Sequence, residues 1–209
     1  MTFSIVAFDP KTDEIGVAVA TKNLAVGSVV PWARAKIGAI ATQASANVDF
    51  GPEGLSLLET KINVKDVLVT LINSDAGRDH RQVGIVNSSG ETSAYTGKSC
   101  VPWAGHLEGE HYSCQGNMLT GERVVRSLAE AFEATSGLLP ERMIAGLESA
   151  EAAGGDKRGK QSAAIYIAKI DSGWEGKSDR YIDLRVDDHI DPIPELKKLL
   201  FLHRKQHGV

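Results

Sequence analysis

The sequence predicts an α+β protein, a four-layer αββα sandwich in which two antiparallel sheets lie face to face between helices. Three observations carry that expectation. Apolar runs come in hairpins, 2–7 with 15–20 around Asp9-Pro10-Lys11-Thr12-Asp13-Glu14, and 81–87 with 92–97 around Ser88-Ser89-Gly90-Glu91, each turn being rich in residues that favour chain reversal. Helical patterns come in pairs between the strand groups. The first hairpin is apolar on both faces, the pattern of strands covered by a layer on each side.

Taken in order, 2–7 and 15–20 are the first hairpin and 23–28, with Gly27, is a loop. Pro31-Trp32-Ala33-Arg34 leads to a third buried strand over 36–42. Past 43–47, Gly51-Pro52-Glu53-Gly54 opens a helix with Leu55, Leu58 and Ile62 at helical spacing. Asn63 is a natural N-cap for a second helix, whose face is Val64, Val67, Leu68, Leu71 and Ile72. The second hairpin follows, then a short strand at 112–115. Val124, Val125, Leu128, Ala131 and Phe132 mark a third helix, and Met143, Ile144 and Leu147 a fourth that runs to Ala153. The stretch 154–159 is a glycine-containing loop, 162–168 a strand, 181–186 an edge strand with one wet face, and 196–203 a closing helix. No Pro-, Ser- or charge-rich run and no internal repeat divides the 209 residues, so 1–209 reads as one domain.

Hydrophobic residues make up 42% of the chain and charged ones 24%, enough apolar side chain for a real core. The formal net charge is -4, with basic clusters only at 156–160 and the C-terminus, so nucleic acid is not an expected partner. No apolar stretch approaches the roughly 18 residues a membrane-spanning helix needs, and no basic-then-apolar leader opens the chain. A cytoplasmic protein without membrane partners is expected. Cys100 and Cys114 are too few for a disulfide framework or a zinc module, and are expected to be reduced, structural thiols.

Thr2 stands one position behind the initiator, at the head of the first strand. If Met1 is removed, Thr2 carries a nucleophilic hydroxyl and a free α-amine, whose reference pKa of about 7.7–8.0 lets it take the hydroxyl proton without a histidine. A threonine opening a strand is the plainer account of the same residue.

Further residues carry a resemblance. The N-terminal Thr strand, the return strand Gly16-Val17-Ala18-Val19-Ala20, a basic residue near a third strand, and the helix–Gly154-Gly155–strand passage resemble the N-terminal-nucleophile (Ntn) hydrolase fold of proteasome subunits and isoaspartyl peptidases. More closely, Thr2-Phe3-Ser4-Ile5-Val6-Ala7, Val29-Val30-Pro31-Trp32-Ala33-Arg34-Ala35, Cys114-Gln115-Gly116-Asn117 and Gly154 through Ala164 resemble an uncharacterised prokaryotic family, DUF1028, over most of the chain. That resemblance implies the Ntn-hydrolase-like fold and brings no named reaction with it. In the wider superfamily's terms it implies that Thr2 is nucleophile and base. Arg34 or Lys36 would lower the amine's pKa, the peptide at Gln43 or Ala44 would meet the oxyanion, and Gly116 and Asn117 would line the site.

Other candidates come from the residues themselves. Gly154, Gly155 and Gly159 with Asp156, Lys157, Arg158 and Lys160 could cradle an anion, although their spacing is neither a P-loop nor a dinucleotide fingerprint; a solvated turn is the alternative. Gln161 and Ser162 lead into a buried strand, a costly place for idle polar groups. Trp32 and Arg34 are either a pocket mouth or a surface loop with the indole on the core. Asn47, Gln115 and Asn117 are site amides or turn caps. His106 and His111 beside Glu108 and Glu110, and Asp187-Asp188-His189-Ile190-Asp191, contain metal-ligand types, with loop solvation and end-of-strand turns as the simpler readings, so no metal and no cofactor is expected. The function expected is an Ntn-type amidohydrolase acting on a C–N bond of a small, carboxylate-bearing metabolite. The other class is a non-catalytic relative that binds a small anion or serves as an assembly partner. Sheets of this kind often pair across exposed helices, so a homodimer is expected.

Overall fold

The computed structural model describes residues 2–207. In chain order its elements are β1 (Thr2–Asp9), β2 (Glu14–Thr21), β3 (Pro31–Arg34), β4 (Gly38–Ala44), α1 (Phe50–Glu59), α2 (Val64–Ser74), β5 (Arg81–Asn87) and β6 (Thr92–Thr96). They continue as β7 (Gly105–Gly109), β8 (Tyr112–Asn117), α3 (Arg123–Ala134), α4 (Leu139–Ala152), β9 (Ser162–Ala168), β10 (Arg180–Val186) and α5 (Pro192–His207). One antiparallel sheet has the order β10-β9-β2-β1-β8-β7 and the other β3-β4-β5-β6, so β1 lies in the middle of the larger sheet.

Side-chain alternation along β1 explains the layers. Phe3, Ile5 and Ala7 point outward and pack with Leu128 and Phe132 of α3, Met143 and Leu147 of α4 and Leu196 of α5. Val6 and Phe8 point inward, against Val17 and Val19 of β2, Ala39 and Ala41 of β4 and Val86 of β5. The far face of the smaller sheet, Ile40, Val83 and Ile85, is covered by Phe50, Leu55, Val67 and Leu71 of α1 and α2. All sixteen residues of β1 and β2 are buried, as a hairpin lying between two layers must be. The result is a four-layer αββα sandwich.

Local chemistry sets the boundaries. Asn63 caps α2, its Oδ1 accepting the Asp66 amide at 2.9 Å, and Pro140 sits in the first turn of α4, where its missing N–H is no loss. α5 begins at Pro192 for the same reason, earlier than the apolar pattern over 196–203 indicates. Two strands escape sequence reading. Residues 31–34 form β3 by pairing with β4, and the polar, glycine-flanked segment 105–109 becomes β7 only because β8 lies beside it, a case of pairing overriding weak intrinsic preference. Ile62 falls outside α1 and is 41% exposed, because that helix ends at Glu59. No helix among the described residues is long and apolar enough to cross a membrane.

Candidate active site

Towards the N-terminal end of β1 the space between the sheets stops being apolar. Gln115 Nε2 donates to Ser4 Oγ at 2.6 Å, Ser4 Oγ donates to Gln43 Oε1 at 2.7 Å, and Gln43 Nε2 donates to Gln82 Oε1 at 2.9 Å. Ser113 closes one end, donating to Gln115 Oε1 at 3.0 Å. Asn117 Nδ2 joins at the other, 2.9 Å from Gln82 Oε1. Gln82 Nε2 in turn donates to the Gly116 carbonyl at 2.7 Å, tying the smaller sheet to β8. These side chains are buried, and buried amides are tolerated only when bonded in this way. Gly84 makes room for the seam, since a Cβ there would lie 2.1 Å from Gln115 Oε1.

Thr2 lies at the mouth of this seam. It shares the inner face with Ser4, is 5% exposed, faces Asn117 across the β1–β8 ladder, and has its Oγ1 3.2 Å from Thr21 Oγ1 at the end of β2. The Thr2 carbonyl lies close to Gly116, where a side chain would crowd it. On one flank Asp156, 5% exposed, accepts the Lys22 amide at 2.9 Å and the Arg158 amide at 2.8 Å, and pairs with the Arg158 guanidinium at 3.2 Å. Gly155, left-handed at φ 50°, brings that loop against Thr120, whose amide donates to its carbonyl. Lys157 rests its ammonium on the Pro102 carbonyl at 3.1 Å. On the other flank is a cavity of about 210 Å³ whose wall includes Ala44, Ser45, Cys100, Val101, Asn117 and Met118. Ala44 and Met118, the ends of two facing strands, are both left-handed at φ 68° and 56°, a conformation that costs a non-glycine residue about 1–2 kcal/mol.

A strut holds this wall. Arg81 Nε donates to Asp75 Oδ2 at 2.6 Å while Nη1 donates to the Ser45 carbonyl and Oγ at 2.7 and 2.9 Å. The Arg81 guanidinium, helped by the Gly77 amide and Asn47, holds the Asp75 carboxyl down to a pKa of about 2. Asn47 is thereby a turn residue of the strut, bonded to Asp75 at 3.3 Å and to the Asp49 amide.

The remaining expectations divide. Thr2, Gln43, Gln115, Gly116, Asn117 and the loop 155–158 are brought to one end of the sandwich. Arg34 and Lys36 are not. Arg34 pairs with Glu59 at 2.9 Å, and Lys36, in the β3–β4 turn, pairs with Asp13 in the β1–β2 turn, the far end of a strand that runs about 23 Å at about 3.3 Å per residue. Trp32 lies over Gly51 and donates from Nε1 to the Val29 carbonyl, so its indole packs on the core. Ser162 donates to the Asn23 carbonyl at 2.6 Å and accepts the Val26 amide, fastening the loop after Thr21. Gln161 adds an amide bond to the Thr21 carbonyl and a side-chain bond to Asp188. Asp187 pairs with Arg185 and Asp191 with Lys160, His106 meets Thr96 Oγ1 at 2.9 Å and His111 lies by Gly90. No group of three or more metal-ligating side chains converges among the described residues. Thr21, Ser45 and Met118 were not singled out from sequence, where each is an ordinary strand-end or loop residue, and Cys100 was read there only as a structural thiol.

Residues 2–196 match the model described as a family of unknown function, DUF1028. The crystal structure of a Silicibacter pomeroyi protein assigned to that family superimposes with a TM-score of 0.89 at 32% identity, covering 97% of this chain and 86% of that one. Weaker matches are the eukaryotic HslV of Trypanosoma brucei, with TM-score 0.48, 11% identity and 72% and 90% coverage, and Anbu, the ancestral beta-subunit, from Yersinia bercovieri, with 0.39, 11%, 100% and 93%. No curated protein matches the chain.

Two outcomes are expected of the seam and its strut. Gln82→Leu strips partners from Gln43, Asn117 and the Gly116 carbonyl, each worth about 1–3 kcal/mol when left buried and unpaired, so the urea midpoint should fall by the equivalent of at least about 2 kcal/mol. The Asp75 carboxyl titrates below its ordinary value in the folded state, so its contribution is complete above about pH 4 and is lost as pH falls towards 2. Asp75→Asn should lower stability at pH 7 and flatten the acid limb of the stability curve, as read by thermal unfolding from pH 2 to 7.

Proposed function

The chain belongs to the DUF1028 family of unknown function, and we propose that it is an Ntn-type amidohydrolase, cleaving a C–N bond of a small, carboxylate-bearing metabolite through an acyl intermediate on Thr2. The observation that carries this reading is the position of Thr2, heading the central strand with its hydroxyl at the mouth of a buried polar seam and within 3.2 Å of a second hydroxyl, Thr21 Oγ1. The state of Met1 lies outside the described residues. With Met1 removed, Thr2 Oγ1 attacks the carbonyl carbon and the α-amine takes its proton. The C–N bond then breaks, the leaving nitrogen carries that proton away, and water releases the acyl group from the Thr2 ester. The oxyanion would be met by the peptide at Gln43 or Ala44, where β4 ends in a left-handed residue.

Arg34 and Lys36 take no part in this scheme. Of the nearby cations Arg158 is paired with Asp156, and Lys157, held on the Pro102 carbonyl, is the one that supports a substrate carboxylate there. The absence of Arg34 and Lys36 from the Thr2 end also favours a second reading, a non-catalytic protein of this fold that binds a small anion or serves as an assembly partner. A homodimer belongs to either reading, supported by Trp174, Phe201 and Leu202, which are exposed outside the sandwich.

Protein expressed from its own start without a tag should lack the mass of one methionine and turn over amide substrates, with Thr2→Ala losing at least about a thousandfold in rate. Retention of Met1 in active protein, or full activity in Thr2→Ala, overturns the enzyme reading. Sedimentation equilibrium should return twice the chain mass; a monomer rejects the dimer.

A further inference from the structure

We propose that the cavity beside Asn117 is a specificity subsite that receives an uncharged carboxamide side chain on the molecule presented to Thr2. The proposal rests on the reading of Thr2 given above. At about 210 Å³ the cavity is smaller than the roughly 300–1,000 Å³ of sites that enclose whole ligands, so it accepts one side chain. Its distance from the nucleophile suits that role. Asn117 is the cross-strand partner of Thr2, and such partners have Cβ atoms about 5 Å apart.

The lining dictates the chemistry. Asn117 is 2% exposed, and its Nδ2 is committed to Gln82 Oε1, which orients the amide. Oδ1 is then left for the cavity, and among the described residues no donor is bonded to it. Ser45, also in the wall, accepts from Arg81 at its Oγ, which leaves its hydroxyl proton free to donate. The Asn117 oxygen as acceptor and the hydroxyls of Ser45 and Ser99 as donors complement a carboxamide, which presents N–H and C=O together. The surroundings are unsuited to an ion. No carboxylate, lysine or arginine lines the cavity, with His80 as the single titratable ring. Arg81 behind the wall is neutralised by Asp75. Cys100 donates its thiol to the Arg81 carbonyl at 3.3 Å, and burial pushes that thiol's pKa up, keeping it uncharged. A carboxylate entering here would lose hydration, find no lysine or arginine in the lining and meet the Asn117 oxygen. The charged end of the substrate is left to the adjoining loop, where Lys157 reaches the Pro102 carbonyl.

The test is calorimetric titration of the full chain at pH 7 with two nearly isosteric probes, acetyl-glutamine methylamide and acetyl-glutamate methylamide. The carboxamide should bind at least tenfold more tightly than the carboxylate. Val101→Trp, at a rim position 49% exposed and outside the seam, should weaken carboxamide binding at least tenfold, and Ser45→Ala, which fills nothing, should weaken it several-fold. Equal binding of the two probes, preference for the carboxylate, binding of neither, or full affinity in both variants overturns the proposal. Binding is read without turnover, so a failure of Thr2 as nucleophile, seen in the Thr2→Ala rate, is distinguishable from a failure of the subsite.

Discussion

The hydrogen-bonded amide seam between the sheets is the constraint on which the rest of this structure depends. In most of the sandwich the inner faces meet through Val, Ala and Phe side chains, contacts that are non-directional and tolerate small slips. At one end they meet through Ser4, Gln43, Gln82, Gln115 and Asn117, whose bonds must be made in particular directions. Removing one partner strands the next, because amides inside a protein have no water to fall back on. The seam therefore locks the register of one sheet against the other at the end where Thr2 lies.

Charge is sorted along the same axis. At the turn end, Lys36 meets Asp13 across two hairpin turns, a half-exposed pair of the kind that contributes little stability. At the Thr2 end the ionic groups are held closer in. Asp156 is almost wholly buried between two backbone amides and Arg158, and Asp75 with Arg81 braces the wall that Ser45 belongs to. Left-handed Ala44 and Met118 stand between those braces. A rigid polar floor, braced walls and strained strand ends are the features expected of a preorganised site, in which dipoles are set before a ligand arrives.

The two flanks of Thr2 differ in kind. One is a loop carrying cations on a buried carboxylate. The other is a small cavity without carboxylate, lysine or arginine, whose polar side chains include Asn117, Ser45, Ser99 and His80. The cation loop is tied to both neighbours of β1, Asp156 accepting the Lys22 amide after β2 and the Lys157 amide reaching the Met118 carbonyl after β8, whereas the cavity lies where β8 runs into the segment facing residues 99–101.

Much of the architecture was legible in the amino-acid order. Both-face apolar strands, hairpin turns and the Asn63 cap are local signals, and local physical chemistry decides them, so the sandwich, the buried first hairpin and the edge position of β10 could be read from residues alone. The placing of Gly116 and Asn117 beside Thr2 was implied by the family resemblance and not by pattern, since the strand legible at 112–115 stops short of them and its pairing with β1 is tertiary. What only the tertiary structure decided was which non-local groups share a space. Arg34 and Lys36 are near in sequence to a strand that reaches the site, but they lie at the other end of it, since β4 runs seven residues from Gly38 beside the turn to Ala44. Thr21 and Ser45 bear no mark in the sequence and Cys100 reads only as a structural thiol; they arrive at the site through pairing and loop closure. Spacing along a chain encodes which face a residue takes; which end of a packed sandwich it reaches depends on the direction of every strand between.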